Sequence, residues 1–461
     1  MRSEFSDLYK KVQKLNEKNA RLMSDNAELA KRLSAKRYKL MDFLVDSSYR
    51  VLRVRNKKRE LIGRNVGGAK NDDTDRLKKR REVKREVVRR RVDLINMNFY
   101  DWDGKTVYKG GAERYVYDLA SLLKEMGYDA RILQCSNVRF RKKYHGVEVI
   151  GVGAGNKSNI RECSAMYNYY CRDAEFLIAS PLELASEIKD IPVVGINHGI
   201  NFDGVWNKYS EEQPHSYRDY MDALKNVVSC VCVDTNFINF TRTQDYALSL
   251  KERYIPNYYD AKNFKKVNRS DKAEKITFVY PRRLYDARGF DITVEAFERI
   301  LVKYKNKIKL NFVGQIDNDG ARSLLDGIMQ KFPENVFHFE YTMGDMPKAY
   351  ADADVVLVPT RYCEGTSLSC IEGMASGSAI ITTDVGGLPN LVIDGYNGII
   401  ISPVVEDLVD AVEQMIKKPA MRKRMAKNGV KVASEAFTKK RWENSWKREI
   451  QKIQETLIDG D

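Results

Sequence analysis

Two glutamates eight positions apart, Glu364 and Glu372, mark the stretch from Ala353 to Pro389 as a place where chemistry could be done. Glu364 sits in a polar loop. Glu372 sits inside a run with helical spacing, whose apolar face is set by Leu368, Ile371 and Ala375. At about 100° per residue, Glu372 falls about 40° from Leu368, on or beside that face. A carboxylate placed there is costly unless something bonds to it. One possible partner is an arginine, which would make Glu372 structural. The other is a ligand. A helix start offers free N–H groups and positive dipole character, so it attracts an anion. A diphosphate at the helix start, with hydroxyl-rich groups held by a carboxylate on either side, fits this spacing.

The elements that must position these residues can be read around them. Asp354 to Pro359 is a short apolar run, expected as a buried strand. Thr360 to Gly365 is the loop. A helix is expected from Thr366 or Ser367, either of which can cap it, to Gly377 as its C′ residue. Ala379 to Thr382 is a second strand. The unit is strand, loop, helix, strand, as in a parallel α/β sheet. Both carboxylates then lie near the carboxyl end of a strand, where open α/β sheets bind ligands.

The same alternation extends along the chain. Strands are expected at 92–97, 129–133, 147–152, 176–179, 193–196 and 227–233, then at 276–280, 309–313 and 336–339. Gly110-Gly111 opens a helix with apolar positions at Val116, Leu119, Leu123 and Met126. His198 follows the carboxyl end of the 193–196 strand. Asp234 is placed to cap the next helix. Further helices are expected at 291–304, 346–351, 408–417 and 439–456. The fold class is therefore α/β. The domains read as residues 92–257, a linker at 258–275, residues 276–436, and a terminal helix at 437–461.

Glu364 and Glu372, separated by seven residues and followed by Asp384-Val385-Gly386-Gly387, make the chain resemble the retaining GT-B glycosyltransferases of family 4. Arg283-Leu284, three residues, then Arg288-Gly289 resembles that family's cationic loop, with Arg282 where the family has glycine. Pro256-Asn257-Tyr258-Tyr259-Asp260 departs from the family pattern by lacking a glycine. The resemblance covers about residues 92–457. It implies two Rossmann-like domains facing a cleft, with the final helix packing back on the first.

It also implies roles. Glu372 would bond the ribose hydroxyls of a nucleotide-sugar donor, and Glu364 the hydroxyls of the transferred sugar. Arg283 and Arg288, with the amides of Gly365, Thr366, Ser367, Leu368 and Ser369, would hold the diphosphate. His198 and the Gly110-Gly111 turn would complete the site from the first domain, which would take a glycan or lipid-linked acceptor. Stabilising charge on a leaving diphosphate is usually the largest catalytic contribution, and guanidinium groups supply it. No cofactor is then needed, because the nucleotide-sugar is a co-substrate. Three Asp-x-Asp pairs, Asp101/Asp103, Asp317/Asp319 and Asp352/Asp354, could in principle hold a divalent cation. With two cations already at the diphosphate, no metal site is expected. Other GT-B chemistries, an epimerase or a phosphorylase, share the same frame.

Composition bounds the rest. The chain has 461 residues, 43% of them hydrophobic, enough for two or three domains. Seven scattered cysteines without zinc spacing argue for a reducing compartment. Cys230 and Cys232 alternate along an apolar run, as same-face core residues do. No secretory signal and no apolar run of about 18 residues is evident, so a membrane-spanning segment is not expected.

Leu8, Leu15, Leu22 and Leu29 recur every seven residues, with Asn19 and Asn26 at the facing positions. Residues 1–50 therefore read as a coiled coil that self-associates through 5–43, with a dimer favoured by the two asparagines. Residues 53–91 carry 17 basic and 6 acidic side chains, a net +11 out of the chain's +15. The segment 51–91 reads as a solvated linker or as an attachment to an anionic membrane surface, where each Lys or Arg contributes on the order of 1 kcal/mol. A zipper beside a basic region also resembles a nucleic-acid binder, but there the basic region precedes the zipper, and here it follows. The expectation is a cytoplasmic enzyme, peripheral on the inner face of the cell membrane.

Overall fold

Short runs of β-branched and aliphatic residues build two sheets. The first comprises β1 (Arg91–Asn96), β2 (Asp129–Gln134), β3 (Arg139–Tyr144), β4 (Val147–Val152), β5 (Phe176–Ser180), β6 (Val193–Asn197), β7 (Ser229–Cys232) and β8 (Glu252–Tyr254). Their order is β3-β4-β2-β1-β5-β6-β7-β8. The second comprises β9 (Ile276–Tyr280), β10 (Ile308–Val313), β11 (Val336–Phe339), β12 (Val355–Val358), β13 (Ala379–Thr383) and β14 (Gly398–Ile401), in the order β11-β10-β9-β12-β13-β14. Paired strands are parallel except β3 with β4. The computed structural model describes residues 90–108, 110–153, 160–202, 215–267, 275–341 and 344–458, all within one unit, Val88–Asp461. The expected coiled coil over 1–50, with its self-association, and the basic segment up to residue 89 lie outside these residues.

Central strands such as β12 (VVLV) and β13 (AIITT) are buried along their whole length. Parallel sheets need this, because helices cover both faces. On β1, inside the first sheet, a buried charge interrupts the apolar pattern. Asp93 on β1 lies opposite Arg131 on β2, and the Arg131 Nε–H donates to Asp93 Oδ1 at 2.7 Å. The register itself supplies the counter-charge.

The strands at 147–152, 276–280 and 336–339 and the helix at 346–351 occur with the bounds read from sequence. β7 is shorter than the expected 227–233, because the Val227 amide still donates to the Ala223 carbonyl as the His215–Asn226 helix closes. Five helices were not read from the sequence pattern as elements: Ile160–Tyr170, His215–Asn226, Tyr246–Ser249, Asp319–Lys331 and Pro419–Ala436. β3 (RFRKKY), β8 and β14 are likewise additions. β3 has no apolar alternation to announce it, since it is an edge strand with mostly exposed side chains.

The chain passes between the sheets twice, side by side. Ile255 and Tyr258 belong to the core of the first sheet, whereas Tyr259 and Phe264 belong to the core of the second. The return lies at Phe437–Lys439. The Tyr259 amide donates to the Phe437 carbonyl at 2.9 Å, and the Lys439 amide donates to the Tyr259 carbonyl at 3.1 Å. The Lys439–Ile458 helix then places Trp442, Trp446, Ile450 and Ile453 in the core of the first sheet. Among the described residues no helix is long and apolar enough to cross a membrane.

Candidate active site

The site is built from loops at the carboxyl ends of strands in both sheets. The second sheet supplies residues after β9, the loop after β12 and the Leu368–Ala375 helix. Ser367 stands at the N-cap of that helix with no side-chain capping bond. The first-turn amides therefore face the cavity with their dipole uncompensated by a cap. The helix ends at Ala375, and Gly377 follows with a positive φ of 82°.

A cavity of about 270 Å³ opens here. The second sheet lines it with Arg282, Arg288 and Cys363, with Glu364 and Gly365, and with Thr366 through Ser369. The first sheet lines it with Gly111, Ala112, His198 and Asn257. Of the residues singled out from sequence, Gly111, His198, Arg288, Glu364 and Gly365 to Ser369 therefore converge. Gly110, Arg283 and Glu372 lie off the wall.

Glu364 is 9% exposed and is held through one of its oxygens. One oxygen, Oε2, receives bonds from the Arg282 guanidinium, from Arg288 Nη1 at 3.3 Å and from the Thr360 hydroxyl at 2.9 Å. Burial alone would raise this carboxyl. The Arg282 and Arg288 guanidiniums outweigh it and hold the group below the usual range. Glu364 is ionised at neutral pH. Arg288 is fixed in turn by Gly289, whose φ is +74° and where a Cβ would run into the Pro359 carbonyl. Only glycine lets the two loops approach so closely.

In the wall of this cavity Arg288 is joined by Arg282 rather than by Arg283. β9 ends at Tyr280, and the loop that follows carries both arginines. Arg282 turns inward, with its side chain 7% exposed, while Arg283 is exposed beside the Tyr285 ring. Sequence comparison by position favoured Arg283, and the inward cation is its neighbour. Of the Gly110-Gly111 turn, Gly111 lines the cavity. The Glu113 carboxylate, in the first turn of this helix, occupies the space that a Cβ on Gly110 would need.

Glu372 lies one turn deeper, 5% exposed. Arg114 Nη1, from the Gly111–Glu125 helix of the first sheet, donates to Glu372 Oε1 at 2.9 Å. The arginine partner left open by the sequence is thus present, and it comes from the opposite sheet. Sequence reasoning passed over Arg114 because a cation in the first turn of an amphipathic helix carries no signal by itself.

His198 is half-buried at the end of β6. Its Nε2 lies 2.9 Å from the Ser180 hydroxyl, and its ring meets Tyr115 edge-on with centroids 5.4 Å apart. Burial lowers its pKa to about 4, so the imidazole is neutral at pH 7. This carries a stability signature. The unfolded chain takes up a proton near pH 6.5, whereas the folded one waits until about 4. Stability from this group is complete above pH 6.5 and is lost as pH falls toward 4, at about 1.4 kcal/mol per unit. His198→Gln is expected to remove about 2 kcal/mol of the difference between pH 7.5 and pH 5. Parallel denaturant titrations at the two pH values check this, and an unchanged pH slope in the variant would contradict it.

Asn257 and Thr366 join the sheets beside the cavity. The Asn257 amide donates to Thr366 Oγ1 at 3.0 Å, and Asn257 Nδ2 donates to the Thr366 carbonyl at 2.6 Å. The Thr366 hydroxyl donates to the Val233 carbonyl at 3.0 Å. Where a glycine was expected after Asn257, Tyr258 instead packs on Trp442 with centroids 4.4 Å apart.

Residues 260–432 match the family model described as glycosyl transferases group 1. An uncharacterized glycosyltransferase of Methanocaldococcus jannaschii is 24% identical over 392 residues, 76% of this chain and 96% of the relative. The lipopolysaccharide 1,2-N-acetylglucosaminetransferase of Salmonella typhimurium is 23% identical over 204 residues, 41% of this chain and 53% of its own length. HepE of Anabaena, in a crystal structure with UDP-glucose, superposes with a TM-score of 0.60 at 15% identity, over 80% of this chain and 99% of that one. The match over residues 260–432 and the glycosyltransferase relatives show a glycosyltransferase enzyme, and the likeness to HepE shows a GT-B fold.

Proposed function

We propose that the enzyme moves a sugar from a nucleoside-diphosphate donor to a glycan or lipid-linked acceptor with retention of anomeric configuration, as enzymes of family 4 do. The observation that carries this is the set of charges around the Leu368–Ala375 helix start. Two inward guanidiniums and an uncapped helix N-terminus face one cavity, with an ionised carboxylate between them. Arg282 and Arg288, with the amides of Gly365 to Ser369, hold the diphosphate. Glu364 accepts from hydroxyls of the transferred sugar, and Glu372 from those of the ribose. Neutral His198 and the Gly110-Gly111 turn close the site from the other sheet, and Arg283 stands at its rim. The UDP-glucose complex of HepE supports the donor class. The Salmonella relative's activity on lipopolysaccharide supports the acceptor class.

In the transfer, the bond from the anomeric carbon to the diphosphate oxygen breaks and a bond to the acceptor oxygen forms. The acceptor's proton passes to the departing diphosphate. Glu364, the carboxylate lining the cavity, is paired through Oε2 with both arginines, which weakens it as a nucleophile toward the sugar. That favours departure and attack on the same face. The test is turnover against a panel of nucleotide-sugars, with product configuration read by NMR. An inverted product would defeat the retaining assignment, and no turnover with any donor would defeat the reading.

Residues 53–91 are proposed to attach the enzyme to the inner, anionic face of the cell membrane, with dimerisation through 5–43. The net +11 supports this. Flotation of the full chain on anionic liposomes checks it. Retention by duplex DNA but not by liposomes would replace it with the nucleic-acid reading.

A further inference from the structure

Arg114 has no part in the roles assigned from sequence, yet it makes an ion pair between the two sheets at the donor site. It lies in the first turn of the Gly111–Glu125 helix. Its Nη1 bonds Glu372, while its Nη2 is buried without a partner. The approach of the two helices is tight. A Cβ on Gly111 would come within 2.8 Å of Leu368 Cδ1. One turn beyond Arg114, Asp118 receives the Lys439 ammonium at 2.7 Å and the Tyr258 hydroxyl. Tyr258 and Lys439 flank the two chain crossings. Arg114 therefore stands between the donor helix and the segments that join the halves.

We propose that Arg114 is a positioning residue of the donor site, holding the Glu372 carboxylate in orientation from across the cleft for a nucleotide's ribose hydroxyls. This rests on the proposed role of Glu372. The groups facing Glu372 are Arg114 from the first sheet and the Tyr350 hydroxyl from the Met346–Ala351 helix. Around Arg114 stand Tyr258 and Asp118, neither of them a cation. Burial already raises the Glu372 carboxyl, and Arg114 is the charge that opposes this. Without Arg114, burial acts on the Glu372 carboxyl with no cation to oppose it and raises it further. A protonated carboxyl loses acceptor strength toward two vicinal hydroxyls. The unpartnered Nη2 adds a second consequence. It can donate to a ribose oxygen without breaking the bond that Nη1 makes, so nucleotide and Arg114 share Glu372 rather than compete for it.

The test is calorimetric binding of UDP, ADP and GDP to the full chain from pH 6 to 9, following whichever binds tightest. Wild type is expected to bind with little change across this range. Arg114→Met is expected to bind about tenfold more weakly at pH 6.5 and to recover toward pH 9, while Arg114→Lys retains most affinity. Glu372→Gln is expected to bind weakly at every pH, and Arg114→Met/Glu372→Gln no more weakly than that. The double variant buries no unpaired charge, so it reports even where Arg114→Met folds poorly, and a further loss in it would overturn the proposal. If Glu372→Gln is weak while Arg114→Met binds like wild type or weakens without pH dependence, Arg114 has no positioning role and the ribose reading survives. If Glu372→Gln binds like wild type, or no nucleotide binds wild type, the ribose reading fails and this proposal falls with it.

Discussion

Replacing Glu364 by glutamine is expected to lower glycosyl transfer by about 10²–10³-fold, the loss typical of removing one preorganised electrostatic partner from a reacting centre. Two effects act together. The amide keeps the shape of the carboxylate but offers a weaker acceptor to the sugar hydroxyls. It also removes the anion that balances Arg282 and Arg288. Breaking a buried pair on one side costs about 3–5 kcal/mol, because the remaining charge is left without compensation. Arg282 is nearly sealed from solvent, so most of this penalty should appear in the ligand-free protein. A bound diphosphate restores anionic charge beside both guanidiniums. The deficit in melting temperature should therefore shrink when a nucleoside diphosphate saturates the variant, even though transfer stays low. Steady-state transfer assays and melts with and without nucleotide separate the two effects. Transfer within a few-fold of wild type would remove Glu364 from the chemistry.

Trp446→Ala is expected to destabilise the protein by about 3–5 kcal/mol, the usual cost of truncating a large buried aromatic side chain. Trp446 is fully buried and its indole N–H donates to the Tyr115 hydroxyl at 2.8 Å. Tyr115 also meets His198, so the cavity left by the substitution reaches the wall of the active site through one ring. Transfer should fall along with stability. Trp446→Phe keeps most of the volume and loses the hydrogen bond, worth about 1 kcal/mol, so its effect should be several-fold smaller in energy. Denaturant unfolding of the three proteins checks the order. A loss below about 1 kcal/mol in Trp446→Ala would mean that the final helix is not part of the first core.

The fold was legible because parallel α/β units carry strong local signals. Buried strands read as apolar runs, and glycine or a capping residue marks the helix ends, as at Asp234, whose carboxylate accepts from the Asn236 and Phe237 amides. Edge strand β3 was invisible because its exposure removes that pattern. In the site, Glu364, His198 and Arg288 could be placed because each follows the carboxyl end of a strand. Arg282 was passed over because the resemblance assigns the cation to Arg283, and which of two adjacent arginines reaches Glu364 is set by the path of the loop in three dimensions. Arg114 needed the third dimension. Its partner is 258 positions away, and nothing local distinguishes it from a solvated helix cation.

The return of the Lys439–Ile458 helix to the first sheet has a consequence for the order in which the molecule is made. Strands β1 to β8 leave the ribosome first, but their core lacks Trp442, Trp446, Ile450 and Ile453 until that helix has emerged. At typical synthesis rates of 5–20 residues per second, the intervening segment takes about 10–40 s to translate. The second sheet and its helices are complete before then. The half synthesised second should thus be the first to finish folding, with its surface already formed when the first sheet's core closes on the returning helix.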